Sequence, residues 1–189
     1  FTKDLTPIML HDDNFKRTTG LDRSVFDITR SGLKEQPKLH NICELEDVAA
    51  WIQANPGVKA FVELKQKSID HHGLETCVQR LHESCRPVLD QCVFISFNAD
   101  AVKLAQDIGF KETGWVILRY DGACAEISKK LSPDYLFADI QILPQDDSKL
   151  WQGNWEWVVY EVVSRKVALG LIKRGVGFIE TKEVEKMLL

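Results

Sequence analysis

The stretch AFVELK, Ala60–Lys65, is short, apolar and strictly alternating. A strand's period of two puts Phe61, Glu63 and Lys65 on one face and Val62 and Leu64 on the other. A carboxylate and an ammonium therefore share one side of a buried strand, at its C-terminal end. Burying either charge alone costs several kcal/mol, so the position calls for a charged partner, a metal or a ligand. Two readings stand side by side. One is a salt bridge that closes the strand or begins the next loop; the other is part of a functional site.

The segments on either side repeat one rhythm. Upstream, ELEDVAAWIQANPG (44–57) spaces Leu45, Val48, Trp51 and Ile52 at helical intervals and stops at Asn55-Pro56-Gly57. Downstream, GLETCVQRLHES (73–84) sets Leu74, Val78 and Leu81 on one stripe, and the apolar run CVFISF (92–97) follows. Next come the helix ADAVKLAQDIGF ending at Gly109, the strand GWVILRY (114–120), a weaker helix GACAEISKKLSP closed by Pro133, and the strand YLFADI (135–140). Beyond the polar loop LPQDDSKLWQGN (143–154) lie WVVYEV (157–162) and the helix SRKVALGLIKRG with Ser164 as its N-cap. GFIET (177–181) and a last amphipathic helix ending in MLL complete the chain. Six strands alternate with helices.

Apolar strands separated by helices mean a parallel sheet, because parallel strands need crossover connections and are covered on both faces. An open nucleotide-binding sheet would carry GxGxxG or GxxxxGK after a strand, and neither motif occurs. The pattern predicts an α/β fold of the (β/α)8 TIM barrel type, in a single domain over 1–189. A complete barrel takes about 250 residues, and six units of roughly 30 residues fall two short of eight.

Composition narrows the partners. Of 189 residues, 44% are hydrophobic and 28% charged, the make-up of a folded globular protein. The net charge of −4, with no block of lysines or arginines, gives no footprint for nucleic acid or an anionic membrane surface. No apolar run reaches the roughly 20 residues of a membrane span, and FTKDLTP (1–7) lacks the apolar stretch of a signal peptide. Five cysteines, at 43, 77, 85, 92 and 124, form no CxxC pair. They favour a reducing, cytoplasmic setting, or a periplasmic one if a signal peptide precedes Phe1, with Cys43, Cys77 and Cys92 as core or near-core packing. The expected partner is a small molecule, and a homo-oligomer stays open.

The second chemistry-bearing stretch is HDDNFKRTTG, His11–Gly20, directly behind the apolar run Pro7–Leu10. Taken alone it is a solvated turn or the lip of an active site. Taken together, T-K-D-x-x-P-I-M-L-H-D-x-x-x-x-R-T-T-G from Thr2 to Gly20 and then F-V-E-L-K, Phe61–Lys65, resemble the glycerophosphodiester phosphodiesterase family. The resemblance runs almost from end to end. V-F-I-S-F, W-V-V-Y-E-V and G-F-I-E-T look like that family's later strands.

The resemblance implies a barrel of the phospholipase C-like phosphodiesterase type. It implies hydrolysis of glycerophosphodiesters to sn-glycerol 3-phosphate and an alcohol, in lipid and glycerol metabolism, with a divalent cation, Mg²⁺ or Ca²⁺. It assigns His11 as general acid or base, a task that suits an imidazole with an unperturbed pKa of about 6.5. Glu63 matches the acidic metal ligand. Lys65 matches a lysine that pairs with phosphate oxygens as charge builds up. Trp155 and Tyr160 are the candidates for contacting substrate, and Arg17 is expected to hold its loop.

This chain also departs from the family. Its first strand, ending in His-Arg-Gly, and its second, ending in Glu-x-Asp, are missing from the chain, which opens inside the T-x-D turn. An N-terminally incomplete enzyme and a true remnant both fit, the first better, because a six-stranded remnant would leave open sheet edges. GLKEQPKLHN (32–41) is shorter than the family's loop, Glu180-Thr181 replaces Thr-Asp, and Glu161 stands where Thr is common. Two other functions therefore stay open: a phospholipase D-like or lyase activity with Lys65 as base, and a catalytically inactive barrel acting as a binding protein.

The remaining candidates carry plainer readings. Asp70-His71-His72 reads as the polar start of a helix rather than a metal site, because adjacent histidines point different ways. Asp12 caps or orients the loop beside His11. Trp151, Trp155 and Trp157 either line the barrel mouth or cover one end of it.

Overall fold

Alternation becomes strand and the 3.6-residue stripe becomes helix at each expected place. The elements are α1 (Lys16–Thr19), α2 (Arg30–Glu35), α3 (Leu45–Gln53), β1 (Ala60–Leu64), α4 (Gln66–His72), α5 (Leu74–Cys85), β2 (Cys92–Ser96) and α6 (Ala99–Ile108). They continue with β3 (Glu112–Ile117), α7 (Gly122–Leu131), β4 (Tyr135–Asp139), β5 (Glu156–Tyr160), α8 (Arg165–Lys173), β6 (Val176–Ile179) and α9 (Val184–Leu188). This computed structural model describes residues 1–146 and 148–188; Asp147 of the polar loop and Leu189 of the final MLL lie outside the described residues. The sequence pattern does not reveal α1, α2 and α4, which are too short to show a stripe.

The strands hydrogen-bond in the order β1-β2-β3-β4-β5-β6, and β3 through β6 pair in parallel. This is an α/β sheet of the (β/α)8 barrel type, of which the chain carries six strands. The chain forms two compact units: Phe1–Val93 with Leu104–Lys111, and Phe94–Lys103 with Glu112–Leu189.

In the first unit, α3 packs against α5. Leu45, Ala49 and Ile52 bury one stripe, Val78, Leu81 and Cys85 the other. Each large side chain removed from water this way contributes roughly 1.5–3 kcal/mol. The end of α3 is satisfied by one amide: Gln91 Nε2 lies 3.1, 3.1 and 3.0 Å from the carbonyl oxygens of Ile52, Asn55 and Val58. Gln91 also accepts the Ala60 N–H at 2.8 Å, where β1 begins.

Between Pro7 and Leu45 the chain makes an excursion with a core of its own. Met9 N–H donates to Cys43 O and Leu45 N–H to Pro7 O, both at 2.9 Å, and Ile8 pairs antiparallel with Glu44. The enclosed chain buries Phe15, Val25, Ile28, Leu33 and Leu39, with Leu10, Leu21 and Ile42 packed around them. The segment GLKEQPKLHN lies within it, as the end of α2 and a 3-10 turn over Pro37–Leu39. Cys43 is exposed rather than packed, which corrects the expectation from its neighbours. Extended backbone alternates, so turning Glu44 inward turns Cys43 out.

In the second unit, β4 is covered on both faces: Tyr135, Leu136, Phe137 and Ala138 are all buried. Gly114 of β3 lies opposite Tyr135, and a Cβ there would stand 2.8 Å from Phe137 Cε2 and 2.9 Å from Ile95 Cγ2. Only glycine allows that approach. Asp121 caps α7 by accepting the Cys124 N–H at 2.9 Å. Ser164 does sit at the N-cap of α8, but its side chain makes no capping hydrogen bond. No helix among the described residues is long and apolar enough to cross a membrane.

Candidate active site

At the end of β1 the first of the two readings of AFVELK is visible. Lys65 Nζ lies 2.6 Å from Glu63 Oε2, so the salt bridge is there. Glu63 Oε1 is buried with no hydrogen-bond partner among the described residues. Such an atom calls for an explanation, since buried polar groups are almost always paired. The side chains are 24% and 32% exposed for Glu63 and Lys65, so the pair stands at the border of solvent rather than deep in the core. Lys65 is also the N-cap residue of α4, which fixes it at the strand-to-helix turn.

A carboxylate with one oxygen committed to a lysine and the other uncommitted suits a hard cation, which takes oxygen ligands. Among the described residues, no group of three or more His, Cys, Asp and Glu gathers into a ready-made cation site. Glu63 thus fits as one oxygen ligand of such an ion and does not form a complete set.

His11 follows the strip that pairs with Cys43–Leu45 and is open to solvent, its side chain 75% exposed. Its Nδ1 lies 2.8 Å from Asp12 Oδ1. Asp12 in turn accepts two hydrogen bonds from Arg17, from Nε at 2.7 Å and from a terminal nitrogen at 3.2 Å. The Arg17 guanidinium, and after it His11, hold the Asp12 carboxyl down at about 2. Asp12 therefore stays anionic near neutrality, favours the tautomer with hydrogen on Nδ1, and leaves the lone pair on Nε2. Arg17 holds the loop as expected, and Asp12 orients the histidine.

The rest of the motif is scaffolding. The Thr18 and Thr19 hydroxyls both donate to the carbonyl of fully buried Phe15, at 3.4 and 2.9 Å. Gly20 ends α1 at φ +73°, a conformation glycine adopts without strain. In the T-x-D turn, Thr2 donates to Asp4 at 2.6 Å and accepts from the Thr6 N–H at 2.9 Å. Both oxygens of Asp4 accept the Arg30 N–H at 3.1 Å. Partial burial works against ionising Asp4, but the hydrogen bonds from Thr2 and the Arg30 amide prevail and lower its pKa.

Sequence reasoning missed the ion network beneath this loop. Buried Glu44 meets Arg30 at 2.5 Å; Arg30 also reaches Glu46 at 3.0 Å, and Arg80 reaches Glu46 at 3.2 Å and the Leu5 carbonyl at 3.3 Å. Its members are scattered along the chain, so no periodicity announces them.

His71 and His72 close α4 instead of opening a helix, because Gly73, at φ +87°, breaks the chain direction before α5. The His71 ring stacks on Phe26 at 4.4 Å, and the His72 ring packs edge-on to it. Burial, then neighbouring His71, lowers the His72 pKa. These are packed aromatic rings.

In the second unit, Trp155 immediately precedes β5 while Tyr160 is its last residue. At about 3.3 Å per residue they stand some 16 Å apart, at opposite ends of one strand. Only Tyr160 is at the C-terminal end, where barrel enzymes carry their sites. Trp155 instead lies over Gly153, where a Cβ would collide with its ring. Trp151 stacks on Tyr120 at 4.0 Å, and Trp157 donates from Nε1 to Trp151 O at 2.9 Å, so these two form one aromatic cluster. Glu161, next to Tyr160, adopts φ +59° and pairs with Lys182 at 3.3 Å.

Known proteins share this fold. An Oleispira antarctica phosphodiesterase, solved in complex with the product sn-glycerol-3-phosphate, superposes with a TM-score of 0.79 at 19% identity, over 100% of this chain and 80% of its own. A Thermotoga maritima glycerophosphodiester phosphodiesterase gives 0.72 at 20% identity, over 100% and 80%. One from Parabacteroides distasonis gives 0.70 at 18%, over 96% and 76%. At these identities the likeness speaks for the fold. A search of curated proteins returns no significant match. The profile of the glycerophosphoryl diester phosphodiesterase family matches residues 1–108, the part that holds His11, Glu63 and Lys65. The chain belongs to the glycerophosphoryl diester phosphodiesterase family and is, with it, a phosphoric diester hydrolase.

Proposed function

We propose that the chain hydrolyses glycerophosphodiesters to sn-glycerol 3-phosphate and an alcohol, and that a divalent cation, Mg²⁺ or Ca²⁺, binds at Glu63. The observation that carries this reading is the uncommitted, buried Glu63 Oε1 beside the Lys65 ammonium. A cation bound there would polarise the phosphoryl group as a Lewis acid. Lys65 spends one of its three donors on Glu63 and has two left for phosphate oxygens as negative charge grows in the transition state. His11, fixed through Nδ1 by Asp12, moves the proton at Nε2 between the attacking or leaving oxygen and solvent. Of the two aromatic candidates, Tyr160 alone stands at the C-terminal end of β5, and Trp155 lies at the other end. The five free cysteines are compatible with a reducing cytoplasm as the site of action.

The test is release of glycerol 3-phosphate from glycerophosphocholine and glycerophosphoethanolamine, followed with a coupled dehydrogenase. Release that stops with chelator and in Glu63→Ala supports the proposal. Turnover that survives both refutes the role of the cation at Glu63, and no turnover on either substrate refutes the proposed reaction.

A further inference from the structure

Helix α8 presents a face that the hydrolytic site does not use. Ala168 and Leu171 bury one stripe of it. On the other side Leu169 and Ile172 are 51% and 53% exposed. Leu169 has Arg165 and Lys166 four and three residues before it and Lys173 four residues after it, all on the same helical face. Among the described residues, none of these three cations has a carboxylate partner. Arg174 is different: its Nε is turned onto the Ser148 carbonyl at 2.9 Å. No acidic residue occurs from Val163 to Gly175. The same residues line a surface groove, Arg165, Lys166, Leu169, Gly170, Lys173 and Arg174.

We infer that this face of α8 docks on an anionic phospholipid surface. Three unpaired cations around exposed leucine and isoleucine side chains have the chemistry of an interfacial helix: apolar tips enter the acyl boundary while the long basic stems reach the phosphates. The interleaved apolar residues distinguish a lipid from a nucleic acid, which would be met by cations with stacking aromatics. The chain's net charge of −4 does not oppose this, because the field at a surface is local and screened beyond roughly 8 Å at physiological salt. The sequence spreads these cations over nine positions, and the helix gathers them.

The test is co-sedimentation of the full chain with vesicles of phosphatidylcholine alone and with about 30 mol% phosphatidylserine. Binding to the anionic vesicles only, lost at about 0.5 M NaCl, is expected. Arg165→Gln/Lys166→Gln/Lys173→Gln should weaken it about a hundredfold, given the contribution of each cation near such a surface. Arg165→Lys/Lys166→Arg/Lys173→Arg, which keeps the charge, should retain it. Equal binding to neutral vesicles, no binding to anionic ones, or full binding by the neutralised variant overturns the inference. So does a Leu169→Ser variant that binds vesicles and duplex DNA as tightly as the parent, which would mark a general polyanion patch. The readout involves no turnover, so its failure leaves the hydrolase proposal standing.

Discussion

The end of β1 and the loop after Leu10 carry two halves of the proposed chemistry and hold them by opposite means. Glu63 and Lys65 are fixed by strand alternation and partial burial, with a 2.6 Å contact between neighbours on one face. His11 is three-quarters exposed and depends on a local clamp, Asp12 with Arg17, that the fold does not bury. A half-buried pair is screened less than an exposed one, and exposed ion pairs are weak and screened by salt. The two regions should therefore respond differently to mutation, salt and acid.

The largest effect is expected at the end of β1. Glu63→Ala removes the uncommitted oxygen there and should lower kcat/KM for glycerophosphodiesters by about 10³-fold or more, with loss of response to added Mg²⁺ or Ca²⁺. His11→Ala should cost about 10²–10³-fold in kcat, the usual share of a general acid or base, and flatten the pH profile. Lys65→Met should cost about 10²-fold in kcat/KM by removing a phosphate partner, without touching His11. Asp12→Asn should lower kcat only about tenfold, since it loosens the imidazole rather than removing it. If the contrast between the regions holds, raising the salt should shrink the Asp12→Asn deficit and leave the Glu63→Ala deficit unchanged.

The smallest effect concerns stability. The Asp12 carboxyl lies at about 2 in the folded chain against 3.8 for a free one, so its contribution is complete above about pH 4 and fades as the pH falls through 2. Urea midpoints measured from pH 5 downward should fall more steeply in the parent than in Asp12→Asn. Parallel curves would show that the clamp contributes nothing to folding.

Much of the fold was legible because it is written in periodicity. AFVELK, CVFISF and YLFADI became strands, and Leu45, Ile52, Val78 and Leu81 became the facing stripes of α3 and α5. At the site, the shared face of Glu63 and Lys65 follows from alternation alone. Other features depend on contacts that no period encodes. The Arg30–Glu44–Glu46–Arg80 network joins residues far apart in the chain. The reversal at Gly73 moved His71 and His72 from the start of a helix to the end of another. The separation of Trp155 from Tyr160 could have been found by counting residues along the strand, because five steps carry the chain from one end to the other. The resemblance also weakens along the chain: the family profile ends at Ile108, and the departures at Glu161 and Glu180 lie beyond it, each one residue past the end of its strand.

The antiparallel clip that joins Pro7–Met9 to Cys43–Leu45 has a consequence for how such chains diverge. It closes a loop whose interior has its own apolar core, so the loop's length is insulated from what the clip holds. Doubling the enclosed length costs only about 0.6 kcal/mol in closure entropy. Insertions between Gly32 and Asn41 would therefore leave the backbone of Leu10 and Glu44 in place, and with it the histidine's mooring.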